Sequence, residues 1–254
     1  MKRSLFILIL LVLAGQVADS QDLWKRRRYE AFGAVGMTQF FGDIGGFTQG
    51  ENVLGFKDFI FSQTRFDINA ALKYKIIPSV SVKLGLTFGM LHASDQKGSN
   101  EGREYEAKTT FLEPMLTCEY AFIKSKRENS YLFAKGRRIE FNSLFSAMDV
   151  YALTGIGGLS YSVKGNEELV TRGMVDGGFT AVIPVGVGIN FLAFPDFNFG
   201  IELCGRYTFS DYLDGYTSQY SKSNDVFYTF NVTFTYKIPT ASNGLPYFLS
   251  KKRF

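Results

Sequence analysis

Large apolar residues alternate with polar or small ones over stretches of ten or more positions, and this pattern recurs along the chain. Period two on that scale belongs to strands with two unlike faces. In 225–238, Val226, Tyr228, Phe230, Val232, Phe234, Tyr236 and Ile238 fall on one face. Thr229, Asn231, Thr233, Thr235 and Lys237 fall on the other, with Phe227 as the exception. The same alternation runs through 65–76, 79–90, 181–191 and 197–209, and more weakly through 29–41, 108–123 and 149–163. The expectation is eight strands of roughly 10–15 residues, the length a tilted membrane strand needs and longer than strands in most water-soluble sheets. Periodicity alone does not say which face meets water. The polar face, however, carries Asp67, Lys73, Lys83, Glu113, Glu119, Glu202 and Arg206, while the opposite face is large and aromatic. An apolar exterior around a narrow charged interior is the outer-membrane arrangement. Backbone groups in lipid must pair internally, so the sheet has to close. The fold class expected is all-β: a closed antiparallel eight-stranded transmembrane β-barrel of outer-membrane type.

The segments outside the strands fit that reading. Lys2 and Arg3 precede an apolar run from Leu5 to Ala14, followed by Ala18-Asp19-Ser20. That is the layout of a cleavable signal peptide over 1–20, and the run is short for a membrane helix. Residues 21–28 then form a periplasmic lead-in, 29–238 the barrel, and 239–254 a periplasmic tail. Turns near Ile77-Pro78-Ser79 and Phe194-Pro195-Asp196 are short, as periplasmic turns should be, whereas 42–64, 94–107, 164–178 and 211–224 are longer and polar. The 124–148 connection departs from this rule, being long yet periplasmic. It mixes charges with Tyr131, Leu132, Phe133, Phe141, Leu144 and Phe145, the content of a segment that packs.

Charge narrows the function. The formal net charge of +4 is too small to argue for nucleic acid as a partner. Basic residues gather at the periplasmic side: Arg26, Arg27 and Arg28 before the first strand, then Lys126, Arg137 and Arg138 in the long connection. Such a rim suits anionic outer-membrane lipids or an acidic periplasmic protein partner. An eight-stranded lumen is just wide enough for side chains, which disfavours a diffusion pore. The two cysteines, Cys118 and Cys204, fall on opposite faces by alternation, so no disulfide is expected. With one histidine in the chain, no metal site is readable by spacing, and no cofactor is expected. Two alternatives stand beside this: a passive structural barrel with no specific partner, and an enzyme. His92-Ala93-Ser94 ends the third strand and Glu106 opens the fourth, which offers a base, a nucleophile and an orienting carboxylate for acyl transfer at the lipid rim. Small barrels similar to lipid A deacylases carry a comparable His-x-Ser.

Several stretches carry a family resemblance: Trp24-Lys25-Arg26-Arg27-Arg28-Tyr29-Glu30, Phe41-Gly42-Asp43-Ile44-Gly45-Gly46, Glu119-Tyr120-Ala121-Phe122-Ile123-Lys124, Thr154-Gly155-Ile156-Gly157-Gly158 and Phe209-Ser210-Asp211-Tyr212-Leu213-Asp214. In these the chain resembles a family of Bacteroidetes outer-membrane β-barrel proteins that includes the PorG-like component of the type IX secretion system. The resemblance implies a non-enzymatic barrel that anchors a periplasmic ring or lipoprotein partner of an export machine. The 124–148 connection is unlike the usual family segment. The glycines of the GDIGG and TGIGG stretches also have a plain reading as aids to tight turns and close strand contacts.

Overall fold

The computed structural model describes residues 27–45, 60–96, 101–125, 132–133, 145–218, 224–241, 245–247 and 249–250. Residues 1–20, read above as a signal peptide, and Trp24, Arg26, Lys126, Tyr131, Arg137, Arg138, Phe141 and Leu144 lie outside them. Eight strands form: β1 (Tyr29–Phe41), β2 (Arg65–Ile77), β3 (Val80–Ser94), β4 (Glu106–Ile123), β5 (Met148–Gly165), β6 (Gly177–Leu192), β7 (Phe197–Thr208) and β8 (Val226–Ile238). Each pairs antiparallel with the next, and β8 returns to β1 to close the barrel. One short helix, α1 (Glu167–Thr171), sits in the β5–β6 loop, where the Asn166 side chain accepts the Leu169 N–H. Both ends of the barrel segment, and the described residues of the β4–β5 connection, lie at one end, here called the terminal end. The described residues of the β1–β2, β3–β4, β5–β6 and β7–β8 loops lie at the other, the loop end.

The strand segments read from the sequence all appear, several of them longer than the alternation showed. β3 continues past residue 90 to Ser94, and β6 begins at Gly177 rather than 181. In those extensions (His92-Ala93-Ser94 and Gly177-Gly178) the side chains no longer alternate in size, but the backbone ladder continues, so pattern underreads the strand.

Burial alternates along most of each strand, giving way at the loop end of β1 and β3, where Thr38 to Phe40 and Leu91 to Ser94 are all buried. Leu72 is 65% exposed, while Lys73 beside it is 4% exposed. A continuous belt of outward Leu, Val, Ile and Phe of this size has no place in water and is what hydrocarbon covers. Aromatic pairs mark its two edges: Phe41–Tyr228 and Tyr207–Phe209 near the loop end, Tyr29–Tyr74 and Phe197–Tyr236 near the terminal end. Cys118 is on the exposed face and Cys204 is buried in the lumen.

The lumen is filled in levels. Nearest the terminal end, Lys75 pairs with Glu30 at 2.5 Å. Above it, Lys73 and Lys83 hold Glu119 at 2.6 and 3.1 Å. Lys83 also reaches Glu202 at 3.0 Å, which accepts the Tyr151 hydroxyl at 2.8 Å. The next level joins Arg206 to Glu113 at 2.9 Å and Asn231 to Asp67 at 3.0 Å. At the loop end the inward residues turn apolar, with Phe40, Leu91, Phe111, Leu159, Val182 and Phe227 in one buried cluster. Phe227, the exception to alternation, is fully buried there, 5.2 Å from the Phe111 ring and with its face against the Arg206 guanidinium.

Candidate functional site

A barrel whose lumen is filled can act on other molecules only at its rims and outer wall, so the candidate sites lie at the two ends.

At the loop end, two of the sequence stretches singled out above, 41–45 and 209–214, meet over the opening. Ile44 and Leu213 insert into the apolar cluster. Their backbone N–H groups are claimed by buried carboxylates: Ile44 donates to Asp214 at 3.0 Å, and Leu213 to Asp225 at 2.8 Å. Gly45 donates to Asp95 at 2.8 Å, and Arg103 clasps the same carboxylate at 2.9 and 3.0 Å. Arg103 also donates to the Asp43 carbonyl and lies against the rings of Tyr105 and Tyr216. Gly45 has φ +83°, and a Cβ there would stand 2.6 Å from the Ser94 carbonyl, so this turn admits little but glycine. The result is a plug of polar straps over an apolar seal. Among the described residues, no group of three or more His, Cys, Asp or Glu side chains is arranged to hold a metal ion.

Burial, with Asp43 and Asp211 nearby, pushes the Asp214 carboxyl up to about 7. Burial and the adjoining Asp214 push Asp225 up to about 9. Both lie above the ~3.9 of an exposed aspartate. A carboxyl raised in the folded state favours folding most when protonated. Its contribution is full below about 4 and declines as pH rises, being gone above the folded values. The plug is therefore expected to loosen progressively as pH rises from about 4 to about 9, with Asp225 alone responsible above about 7. Amide hydrogen exchange at Ile44, Gly45 and Leu213, corrected for the intrinsic pH effect, should show protection falling over that range. Asp225→Asn should flatten the upper part of the response, and an unchanged profile in that variant would count against it.

On the outer wall beside this plug, the β3–β4 register sets Ser94 opposite Glu106 and His92 opposite Lys108. His92 Nε2 lies 3.0 Å from Glu106 Oε1, and Lys108 holds the same oxygen at 3.0 Å. His92 and Glu106 are thus in contact across the β3–β4 ladder. The serine is close but differently engaged, because Ser94 Oγ accepts the Gln96 N–H at 3.3 Å. Among the described residues no hydrogen bond joins His92 to Ser94, and His92 Nδ1 is buried without a partner.

At the terminal end, the two described arginines of the lead-in bind the barrel itself. Arg27 pairs with Asp196 at 3.0 Å and donates to the Pro195 carbonyl, and Arg28 donates to the Tyr74 hydroxyl at 3.2 Å. The long connection does pack where it is described. Leu132 is buried with Ala147 and Leu192, and Phe133 stacks on Phe194 at 5.2 Å. The N–H groups of Leu132 and Phe133 donate to Leu192 and Ala193 at 2.8 and 3.2 Å, so the connection straps the end of β6.

The seven charges read as interior, Asp67, Lys73, Lys83, Glu113, Glu119, Glu202 and Arg206, are all buried inside the barrel. Sequence reasoning passed over the straps of the plug: Asp95, Arg103, Asp214 and Asp225. The available signal was the pair of Asp-containing stretches quoted for the family resemblance.

The family described as a domain of unknown function, DUF6089, matches residues 31–238, which is almost the whole barrel. The chain belongs to the DUF6089 family. No curated protein matches its sequence. Among solved structures, this DUF6089 barrel is similar to Neisserial surface protein A at 11% identity and a TM-score of 0.44, over 83% of this chain and 97% of that one. It is similar to the N-terminal β-barrel domain of Pseudomonas aeruginosa OprF at 11% identity and a TM-score of 0.40, over 83% and 98%. The outer membrane enzyme PagL follows at 10% identity and a TM-score of 0.34, over 82% and 99%.

Proposed function

We propose that this protein resides in a Gram-negative outer membrane and serves there as a non-enzymatic platform for a periplasmic assembly. The observation that carries the reading is the filled lumen. Among the described residues, ion-paired levels beneath an apolar plug fill the lumen, so a small barrel of this kind works through what it presents at its rims. An apolar belt on a closed barrel supports residence in lipid, and the 1–20 leader supports export. In this topology the terminal end faces the periplasm. Arg26, Lys126, Arg137 and Arg138 would add positive charge there, facing an acidic protein or anionic lipid. The family resemblance makes the type IX secretion machine the first assembly to test. In a clean deletion strain, proteins bearing a type IX export signal are expected to accumulate in the periplasm when the secreted fraction is compared by mass spectrometry. Unchanged secretion would sink that version.

A second reading has one observation in its favour, the His92–Glu106 hydrogen bond with Ser94 opposite the same carboxylate. It would make the outer wall an acyl hydrolase acting on lipid A. On the platform reading, lipid A acylation is the same in wild type and His92→Ala. A difference between them would put the enzyme first.

A further inference from the structure

The chain stays folded past the end of β8. Thr240 pairs with Pro246 as an antiparallel bridge, and the Ala241 N–H donates to the Leu245 carbonyl at 2.8 Å. The Tyr247 N–H donates to the Pro239 carbonyl at 3.3 Å, which fastens this arch to the first residue beyond the strand. One more turn follows, in which the Leu249 and Ser250 N–H groups both donate to the Pro246 carbonyl, at 2.9 and 3.0 Å. Thr240 and Pro246 are buried in the arch. Leu245, Tyr247 and Leu249 face outward from it, with Tyr247 66% and Leu249 60% exposed.

The place of the arch decides what can cover these side chains. Tyr236, 4.9 Å from Phe197, belongs to the aromatic edge of the lipid belt. Pro239 comes three residues later. That is at most about 10 Å along the strand, and less along the membrane normal because barrel strands tilt. The headgroup layer beyond the hydrocarbon is itself about 5–8 Å deep. The hydrogen bond to Pro239 therefore keeps Tyr247 within reach of the headgroups, where Tyr and Leu side chains are solvated by the bilayer boundary.

The charge fits the same surface. Lys251, Lys252 and Arg253 follow the exposed residues directly, and the sequence from 226 to 254 contains no Asp or Glu. Among the described terminal-end carboxylates, Glu30 pairs with Lys75 and Asp196 with Arg27, which leaves Asp149 to set against Arg28, Lys124 and Lys237. This end of the molecule therefore holds no acidic excess to neutralise the tail.

We propose that the arch and the basic residues after it form an interfacial anchor that gathers anionic phospholipid at the terminal end of the barrel. Leu245, Tyr247 and Leu249 enter the headgroup boundary, and Lys251, Lys252 and Arg253 supply charge for the phosphodiester. A protein partner would first have to draw these apolar side chains away from the membrane surface. The inference rests on residence in lipid and not on the platform role.

The test uses the full chain in nanodiscs of phosphatidylcholine and reads amide NMR relaxation. A lipid spin-labelled near the top of one acyl chain is expected to broaden the Tyr247 and Leu249 signals as it broadens Tyr236, while a water-soluble gadolinium chelate spares them. Broadening of Tyr247 and Leu249 by the chelate overturns the anchor and leaves that surface to a protein. Tyr236 reports the bilayer on its own, so failure of the anchor reads differently from failure of the barrel to sit in lipid. With trace labelled phosphatidylglycerol in place of labelled phosphatidylcholine, the effect at Tyr247 and Leu249 is expected to rise about fivefold, the scale of one cation beside an anionic headgroup. Combining Lys251→Gln, Lys252→Gln and Arg253→Gln should abolish that rise. Equal effects from the two labelled lipids overturn the anionic assignment, and a rise that survives the triple substitution overturns the role of the basic residues.

Discussion

Replacing Glu113 with alanine is expected to cost the barrel about 3–5 kcal/mol, the largest loss of any single charge removal considered for this chain. Glu113 is fully buried and accepts from Arg206 Nε at 2.9 and 3.1 Å. Arg206 itself is 2% exposed, with Thr229 as its other hydrogen-bond partner at 2.5 Å and the Phe227 ring above it. Without Glu113 a guanidinium remains in the lumen with no ion pair. Asp67 shares the level, but its Oδ2 accepts from Asn231 and, among the described residues, no ion pair joins it to Arg206. The loss should appear in urea unfolding of the protein in micelles or bilayers. Glu113→Leu combined with Arg206→Met should recover most of it, because exchanging both partners removes the desolvation cost along with the attraction. If Glu113→Ala were no less stable than the double variant, the buried pair would not be what holds this level together.

Gly36→Val is expected to prevent closure of the barrel. Gly36 lies on β1 between Asp67 of β2 and Asn231 of β8, both directly opposite it in register. The Asn231 side chain crosses over the glycine to reach Asp67. A Cβ at Gly36 would fall 2.0 Å from Asn231 Oδ1 and 2.1 Å from the Phe230 carbonyl. A rotamer change could move the amide, but the carbonyl belongs to the β8 backbone and can yield only if the β1–β8 seam opens. Overpacking against backbone stands at the upper end of the usual range, about 3 kcal/mol or more. The expected result is loss of the heat-modifiable folded band on a gel and absence from the outer-membrane fraction. Gly33→Ala on the same strand is the control, since a Cβ there meets nothing within 4 Å. Equal folding of Gly36→Val and Gly33→Ala would show that the seam is not packed as described.

The barrel was legible because lipid and lumen impose opposite demands on alternate residues, and β2, β4 and β8 satisfy both along most of their length. Phe227 broke the pattern for a physical reason. The lumen changes character towards the loop end, where Phe40, Phe111, Leu159 and Phe227 point inward and seal it. Alternation reports a difference between faces, not a change of solvent along one face. The His92–Glu106 contact was readable because an antiparallel ladder with a defined loop fixes which residues oppose each other. The engagement of Ser94 with Gln96 depends on local turn geometry that spacing does not encode. The plug was not legible as a unit. Its parts (Ile44, Asp95, Arg103, Leu213, Asp214 and Asp225) come from separate loops without periodicity.

The strap made by Leu132 and Phe133 has a mechanical consequence. The connection between β4 and β5 is fastened to the end of β6 by two backbone hydrogen bonds and a ring stack. Tension applied to that connection therefore enters the wall at three adjacent strands at once. The ladders that resist it, β4–β5 and β5–β6, are long and would be loaded along their length, so their hydrogen bonds share the force instead of opening one after another. Anything tethered to this connection would pull on the barrel as on a rivet rather than peel a single hairpin from its edge.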